Sequence, residues 1–187
     1  MSTATKEQRT IAPAGTWRVD PVHSRFGFAV KHMGVATVRG HFEEVDGTLE
    51  IGEDLAEARI RGSVEAASVQ TGVEQRDDHL RSPDFFDAAE FPELRFESNR
   101  IEAIDGETYR VSGELTIHGV TREIELEAEV GGVEIGPNGE DRIGLEVTCK
   151  LSRSEFGMKF NAALGSGNAV VSDKVKLILD IAAIREA

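Results

Sequence analysis

The feature of this sequence that most restricts its fold is an alternation of charged and apolar residues with a period of two. It is clearest over residues 123–130, EIELEAEV, where every second residue is a glutamate and the residues between are apolar. Successive side chains of a β-strand point to opposite faces, so one face of this strand meets water and the other meets a core. Clean alternation of this kind is typical of antiparallel strands with one solvated face.

The alternation recurs along most of the chain, and turn-forming dipeptides separate its segments. Further apolar residues at every second position are Phe26, Phe28 and Val30; Ile60 and Val64; Tyr109 to Ile117; Ile143 to Leu151; and Val175 to Ile181. Dipeptides that accept the positive φ angles of tight hairpins are Asp46-Gly47, Asp105-Gly106 and Asn138-Gly139. We predict an all-β fold in which about eight strands close into an antiparallel barrel.

One segment in the middle of the chain departs from the strand pattern. The tetrapeptide TGVE at 71–74 has the spacing of a capping box, and SPD at 82–84 matches a cap residue followed by proline at the first helical position. We therefore predict two short helices, at about 73–80 and 83–89. Because they interrupt the strands once, we expect them to cover one end or side of the barrel.

Composition excludes several classes of function. The chain has 34 acidic and 21 basic residues, which give a formal net charge of -13. A field of that sign repels phosphate backbones and anionic membrane surfaces, so no nucleic-acid partner is expected. The single cysteine, Cys149, rules out an intramolecular disulfide and a cysteine-based metal cluster.

The chain is expected to form one domain over residues 15–187, preceded by a disordered tail at 1–14. The tail lacks the apolar run of a signal peptide, and no stretch approaches the roughly 18 consecutive apolar residues of a membrane helix. We therefore expect a cytoplasmic protein without a transmembrane segment. A net charge of this size opposes non-specific association but leaves a specific homodimer open.

The histidines give no specific signal for catalysis. None of the five is spaced as a helical metal-binding pair with a nearby carboxylate, and no nucleophile elbow of the G-x-S-x-G kind is present. His118, which precedes Gly119, fits a turn residue. An enzyme or redox protein that uses His23, His32 or His118 as acid, base or metal ligand nevertheless stays open as an alternative.

Phenylalanine is unusually frequent in one part of the chain. Nine of the eleven aromatic residues are phenylalanine, and four of them fall within twelve residues: Phe85, Phe86, Phe91 and Phe96. A second apolar row is formed by Phe156, Met158 and Phe160. Both groups fit core packing, and both fit the wall of a cavity, because an eight-stranded barrel can be filled by side chains or hold one small ligand.

Five motifs in register carry a resemblance to a known family. They are WRVDPVHS and FGFAVKH within 17–32, GHF at 40–42, a central block from Arg76 to Ser98, GELTIHGVT at 113–121, and the stretch from Arg153 to Gly157. On these residues the chain resembles the YceI-like family of polyisoprenoid-binding or lipid-binding proteins. The resemblance extends from Trp17 to Ile181.

The resemblance implies an extended lipocalin-like barrel whose pore holds the isoprenoid chain of a quinone or polyprenyl compound. It implies no catalytic residues and no cofactor apart from the bound lipid. Many relatives look secreted, and this chain departs from them in lacking a signal peptide. The implied activity is non-enzymatic storage or transport of an isoprenoid or another long-chain lipid.

The predicted ligand site has an apolar pore and a polar mouth. We expect the pore to be lined by Phe26, Phe28, Val30, Phe85, Phe86, Leu115, Ile117, Phe156, Met158 and Phe160. We expect a polar head group at the mouth to meet Asp20, His23, Arg76 and Arg153. Each buried methylene contributes about 0.8 kcal/mol, so the length of the tail would decide the affinity.

Overall fold

The computed structural model describes residues 12–167 and 169–187. Its strands are β1 (Gly15–Val19), β2 (Arg25–His32), β3 (Ala36–Phe42), β4 (Val45–Ile51), β5 (Arg59–Glu65), β6 (Val69–Gln70), β7 (Glu93–Ala103), β8 (Thr108–Ile117), β9 (Val120–Ile135), β10 (Asp141–Ser152) and β11 (Val171–Arg185). The α-helix α1 (Glu74–Arg81) precedes β7, and short 3-10 helices lie at Leu55–Glu57, Ala66–Ser68 and Arg153–Phe156.

These segments form a closed antiparallel barrel of eight strands, because three barrel strands are each interrupted once. β1 and β2 both pair with β11, at Val19 opposite Ala183 and at Phe26 opposite Leu179. On the other edge, β1 pairs with β4 and β2 pairs with β3. β4 pairs in turn with β5, and β3 with β6. The ring is therefore β1/β2, β3/β4, β5/β6, β7, β8, β9, β10 and β11. The predicted barrel of about eight strands is confirmed.

The period-two alternation has the consequence expected of it. In β8 the apolar residues from Tyr109 to Ile117 are buried at every second position, and in β9 Leu126 and Ala128 are buried while the adjacent glutamates are exposed. The hairpins β7–β8 and β9–β10 turn at Asp105-Gly106 and Asn138-Gly139, as predicted, with Gly139 at a φ of 82°.

The hairpin predicted at Asp46-Gly47 was wrong. Both residues lie inside β4, and Gly47 is paired with Gly62 of β5. The chain passes from β3 into β4 without reversing, so these two residues belong to one long barrel strand. An Asp-Gly dipeptide inside a barrel strand cannot be told from one at a hairpin turn by the local sequence alone.

The helical segment is shorter than predicted. α1 begins at Glu74, and its N-cap is Val73, so the capping box does not form. Thr71 instead donates its backbone N–H to the carboxylate of Asp77 over 2.8 Å. The second helix was wrong, since the residues after Ser82 form turns. Asp87 has a φ of 49°, and the Phe86 N–H donates to the Leu80 carbonyl, a pattern that a helix does not allow.

The barrel has two different ends. We call the end with α1, the β2–β3 turn and the 157–170 loop the helical end. We call the other the tryptophan end, because Trp17 is completely buried there, beside Leu49 and the 3-10 helix Leu55–Glu57. Since the strands run between these ends, the interior of the barrel is a channel covered at both.

Candidate functional site

An apolar cavity of about 190 Å³ occupies the middle of the barrel. All eight barrel strands contribute to its wall. Representative side chains are Val19, Phe42, Leu49, Phe96, Val111, Leu126, Val147 and Leu179. The polar residues that border it, such as Arg61 and Arg95, lie at outward positions and form ion pairs on the outer surface. The interior is therefore a hydrocarbon environment.

Two inward-facing glycines give this cavity part of its width. Gly47 and Gly62 are opposite each other in the register of β4 and β5, and both border the cavity. A Cβ built on Gly62 would meet one heavy atom of the described residues within 4 Å, the Asp46 carbonyl oxygen at 3.8 Å. The Cβ of a larger side chain at Gly62 would consequently fit without a clash, and the side chain would extend towards the cavity.

Aromatic rings cover the cavity at the helical end. The centroid of the Phe42 ring lies 5.8 Å from that of Phe28 and 5.5 Å from that of Phe86. Phe86 packs against the cluster of Phe26 and Phe28 on one wall and against the cluster of Leu115 on another. Phe86 therefore spans the barrel as a cover carried by the turns between α1 and β7.

The tryptophan end is closed by tighter packing. The indole N–H of Trp17 donates to the Pro13 carbonyl over 3.1 Å, which satisfies its one polar atom. Leu55 and Ala58 reach the cavity from the loop between β4 and β5. Tyr109 also borders the cavity here, and burial, with a smaller effect from Asp54, raises the pKa of its hydroxyl.

The predicted lining residues divide into three groups. Phe26, Leu115 and Ile117 line the cavity. Phe28 and Phe86 lie in its aromatic cover, Val30 is half-buried further towards the helical end, and Phe156 and Met158 are buried behind Leu115. The other two, Phe85 and Phe160, lie outside the cavity lining; their ring centroids are 5.4 Å apart, and each contacts the His79 ring.

The two predicted arginines lie at the helical end and hold backbone. The side chain of Arg76 donates to the hydroxyl and to the carbonyl of Thr71, over 2.7 and 2.8 Å. Arg153 is buried, and its guanidinium donates to the carbonyls of Ser172, Met158 and Val171 over 3.0, 2.8 and 3.3 Å. Burial lowers the pKa of Arg153 from its usual value.

The placement of Asp20 and His23 at the barrel mouth was wrong. They lie between β1 and β2 on the outside of the wall, because Val19 faces inwards and the next residue faces outwards. The Asp20 carboxylate accepts hydrogen bonds from His23 Nδ1–H at 2.7 Å and from Arg142 at 3.1 Å. The bond from His23 is the largest cause of the lowered pKa of Asp20.

The other histidines of the enzymatic alternative are also outside the cavity lining. His32 ends β2 at the helical end, and His118 occupies the β8–β9 turn at a φ of 54°, as a turn residue does. The His118 ring packs against Phe91. Within the described ranges, no group of three metal-ligating side chains is close enough to hold an ion.

Several residues that define the cavity were not selected from the sequence. Examples are Phe42, Leu49, Ile60, Leu126, Val147 and Leu179. All of them occupy the apolar positions of the period-two pattern, which was the signal that could have found them. The selection favoured phenylalanines near the helical segment, and these proved to form a cover more than a lining.

The chain is similar to known proteins over nearly all its length. A family model described as YceI-like domain matches residues 17–183. UPF0312 protein plu2095 of Photorhabdus laumondii is 34% identical over 178 residues, which are 94% of this chain and 89% of that protein. The crystal structure of a Campylobacter jejuni YCEI protein matches with a TM-score of 0.72 and 31% identity, over 84% of this chain and 90% of that chain.

A second similar structure is that of a polyisoprenoid binding domain from Saccharophagus degradans. Its TM-score is 0.69 at 18% identity, over 91% of this chain and 98% of that chain. At that level of identity the likeness concerns the fold. Among the residues that the structure describes, no helix has the length and apolar character needed to cross a bilayer.

Proposed function

This chain belongs to the YceI-like family, and we propose that its barrel binds the apolar tail of a long-chain isoprenoid amphiphile, of polyprenyl or quinone type, as a non-enzymatic carrier or store. The polyisoprenoid binding named for the similar domain of Saccharophagus degradans supports this choice of ligand class. The proposal requires no partner other than such an isoprenoid lipid.

The observation that carries the proposal is the apolar cavity enclosed by the barrel. Cavities that lack polar partners stay empty of water and bind apolar molecules, as an engineered cavity of about 150 Å³ binds benzene. This cavity, at about 190 Å³, is larger and is lined by hydrocarbon groups from every strand. A ligand that removed this surface from water and filled the void would gain contacts with the whole inner wall.

A long tail needs more room than the covered channel provides. By comparison with benzene, the cavity of about 190 Å³ holds on the order of one or two isoprene units. Further units require Phe86 to move, since its ring spans the barrel above the cavity. We therefore propose that the tail enters at the helical end and displaces this ring, while the head group stays outside.

Tail length then sets the affinity. Ten buried methylenes contribute about 8 kcal/mol, whereas association costs about 4 to 15 kcal/mol. A short prenyl alcohol is thus expected to bind weakly, and each added isoprene unit to strengthen binding until the channel is full.

A substitution at Gly62 tests the proposal. In Gly62→Leu the new side chain enters the cavity, so the uptake of a prenyl alcohol should fall at least tenfold, or about 1.4 kcal/mol. The matched control is Gly144→Leu, at an outward position of β10 where a Cβ meets no described atom within 4 Å. Equal uptake by wild type and Gly62→Leu, with both folded, would place the ligand outside the barrel.

A further inference from the structure

Of the seven large exposed hydrophobic side chains among the described residues, Val22 lies between β1 and β2, Ile104 and Ile135 lie at the tryptophan end, and the other four lie at the helical end. Met33, Val35, Val73 and Phe160 lie there, in the β2–β3 turn, before α1 and in the 157–170 loop. We call these four residues the apolar rim. Exposed hydrophobic residues mark an interaction site when they form one continuous surface, whereas single ones are normal.

The segments that carry the apolar rim contact one another. The Met33 N–H donates to the Val170 carbonyl over 2.8 Å, and the Val170 N–H donates to the Ala162 carbonyl over 3.0 Å. The Phe160 ring lies 4.9 Å from the ring of His79 on α1. The β2–β3 turn, the loop and the helix therefore form one continuous edge around the cover of the cavity.

Except at Val73, which precedes Glu74, the two ends of the barrel differ in the charges beside their exposed hydrophobic residues. At the tryptophan end, Ile104 precedes Asp105 and Ile135 follows Glu134. At the helical end, residues 160–172 carry no charged side chain although 29% of the chain is charged. The charged side chains that border this stretch and the β2–β3 turn include three lysines, Lys31, Lys159 and Lys174, and one carboxylate, Asp173.

We infer that the apolar rim docks on the surface of a zwitterionic phospholipid bilayer. Apolar turn residues enter the boundary between head groups and acyl chains, while lysines keep their ammonium groups at the phosphates. The net charge of -13 opposes an anionic surface, which favours a zwitterionic one. This inference rests on the proposed function, because it gives the isoprenoid tail a path into the channel without passing through water.

The experiment compares two double variants for uptake of a fluorescent polyprenol from phosphatidylcholine vesicles. Met33→Asp with Val35→Asp alters the rim at turn positions, and aspartate tolerates the positive φ of Met33. Ile104→Asp with Ile135→Asp alters the tryptophan end, where Ile135 is 66% exposed against 79% for Val35. The rim variant should bind vesicles and take up polyprenol roughly tenfold less well, about 1.4 kcal/mol, and the control variant should match wild type.

A parallel assay separates this inference from the proposed function. Uptake of a prenyl alcohol of several isoprene units, delivered from aqueous solution, should be the same in wild type and both variants. Failure of the wild type in this assay would refute the proposed function. Normal uptake from solution together with undiminished vesicle uptake by the rim variant would overturn the docking surface. If the wild type forms a dimer and binds no vesicles, and the rim variant is monomeric, the rim serves self-association and the docking surface is overturned too.

Discussion

Arg153 shows how a single residue holds the helical end together. Its guanidinium donates to three backbone carbonyls, two of them at the start of β11 and one in the 157–170 loop. A planar guanidinium carries five donors in fixed directions on three nitrogens, so it reaches carbonyls that are too far apart for the single nitrogen of a lysine. Arg153 is therefore a structural residue at the edge of the proposed entrance.

Replacing this guanidinium should weaken the fold. Arg153→Lys is expected to lower the free energy of unfolding by about 2 kcal/mol, because at least one buried carbonyl loses its donor. Urea unfolding measures this change. Arg39→Lys, at an exposed position of β3, is the control and should be nearly neutral. Equal midpoints for wild type and Arg153→Lys would show that the three hydrogen bonds contribute little.

Asp20 gives a second prediction at this scale, in the pH dependence of stability. The hydrogen bond from His23, followed in size by that from Arg142, lowers the pKa of Asp20 in the folded protein. Because the pKa of Asp20 is lower in the folded than in the unfolded protein, its ionised carboxylate stabilises the fold at neutral pH. This stabilisation is lost as the pH falls below the ordinary aspartate pKa, near 3.9, and through the lower pKa of the folded protein.

Asp20→Asn should accordingly flatten the decline of stability in acid. Thermal midpoints measured between neutral pH and about pH 3 should fall less steeply than in wild type, in the range where aspartate titrates. Glu90→Gln, an exposed carboxylate, serves as the control. A decline in Asp20→Asn as steep as that of wild type would contradict this account.

At the scale of elements, a buried carboxylate helps to hold α1 to the barrel, beside hydrogen bonds that Arg76 and Arg81 donate to the chain before the helix. Asp77 is buried and accepts hydrogen bonds from the backbone N–H and from the hydroxyl of Thr71, which follows β6. This link replaces the capping box that the sequence suggested. The helix has eight residues and is too short to be stable alone, so this link, the two arginines and the packing of Leu80 hold it.

Breaking this link should loosen the helix before the barrel. Asp77→Ala is expected to speed amide hydrogen exchange over residues 74–81, with protection reduced by about 1 to 3 kcal/mol, and to leave β8 and β9 protected. Asp78→Ala, which removes an exposed ion pair with Arg81, is the matched control. If amide exchange in α1 is the same in Asp77→Ala as in wild type, the Asp77 carboxylate does not anchor the helix.

The strands could be predicted from the sequence because alternation is a local signal. The interruptions of the barrel strands could not be predicted, because they depend on pairing between residues that are distant in sequence. Phe26, for example, pairs with Phe42 on one side and with Leu179 on the other. The second helix failed for a related reason. SPD at 82–84 permits a helix start, but the fold places Phe86 across the barrel and needs turns there.

The cavity could be predicted only in part. Phe26, Leu115 and Ile117 were identified, but Leu49 and Leu126 carry the same inward signal and were not. Whether an inward residue borders a void or packs against a neighbour depends on the size of the residues on the opposite wall. Gly47 and Gly62, which widen the cavity, become informative once β4 and β5 are known to pair.

At the scale of the whole molecule, the two covers give the channel a direction. The tryptophan end is closed by a hydrogen-bonded Trp17 inside the larger apolar cluster, and the helical end by a ring carried on turns. Trp17 is the single tryptophan of the chain. Its fluorescence therefore reports on one defined depth in the channel.

This direction predicts how a labelled ligand quenches Trp17. A long-chain alcohol with a nitroxide at the end of its tail should quench the fluorescence strongly, because the tail enters first and approaches the tryptophan end. The same alcohol with the nitroxide at its head should quench weakly. The reverse order would mean that the head group enters the barrel.

The central claim is that the barrel holds an isoprenoid chain. The most direct test is organic extraction of the freshly purified protein and of its Gly62→Leu variant, followed by mass spectrometry. We predict an isoprenoid lipid in near-stoichiometric amount from the wild type and little from the variant. Extracts without isoprenoid from both, together with no uptake when the wild type is mixed with a polyprenol or an isoprenoid quinone, would contradict the claim.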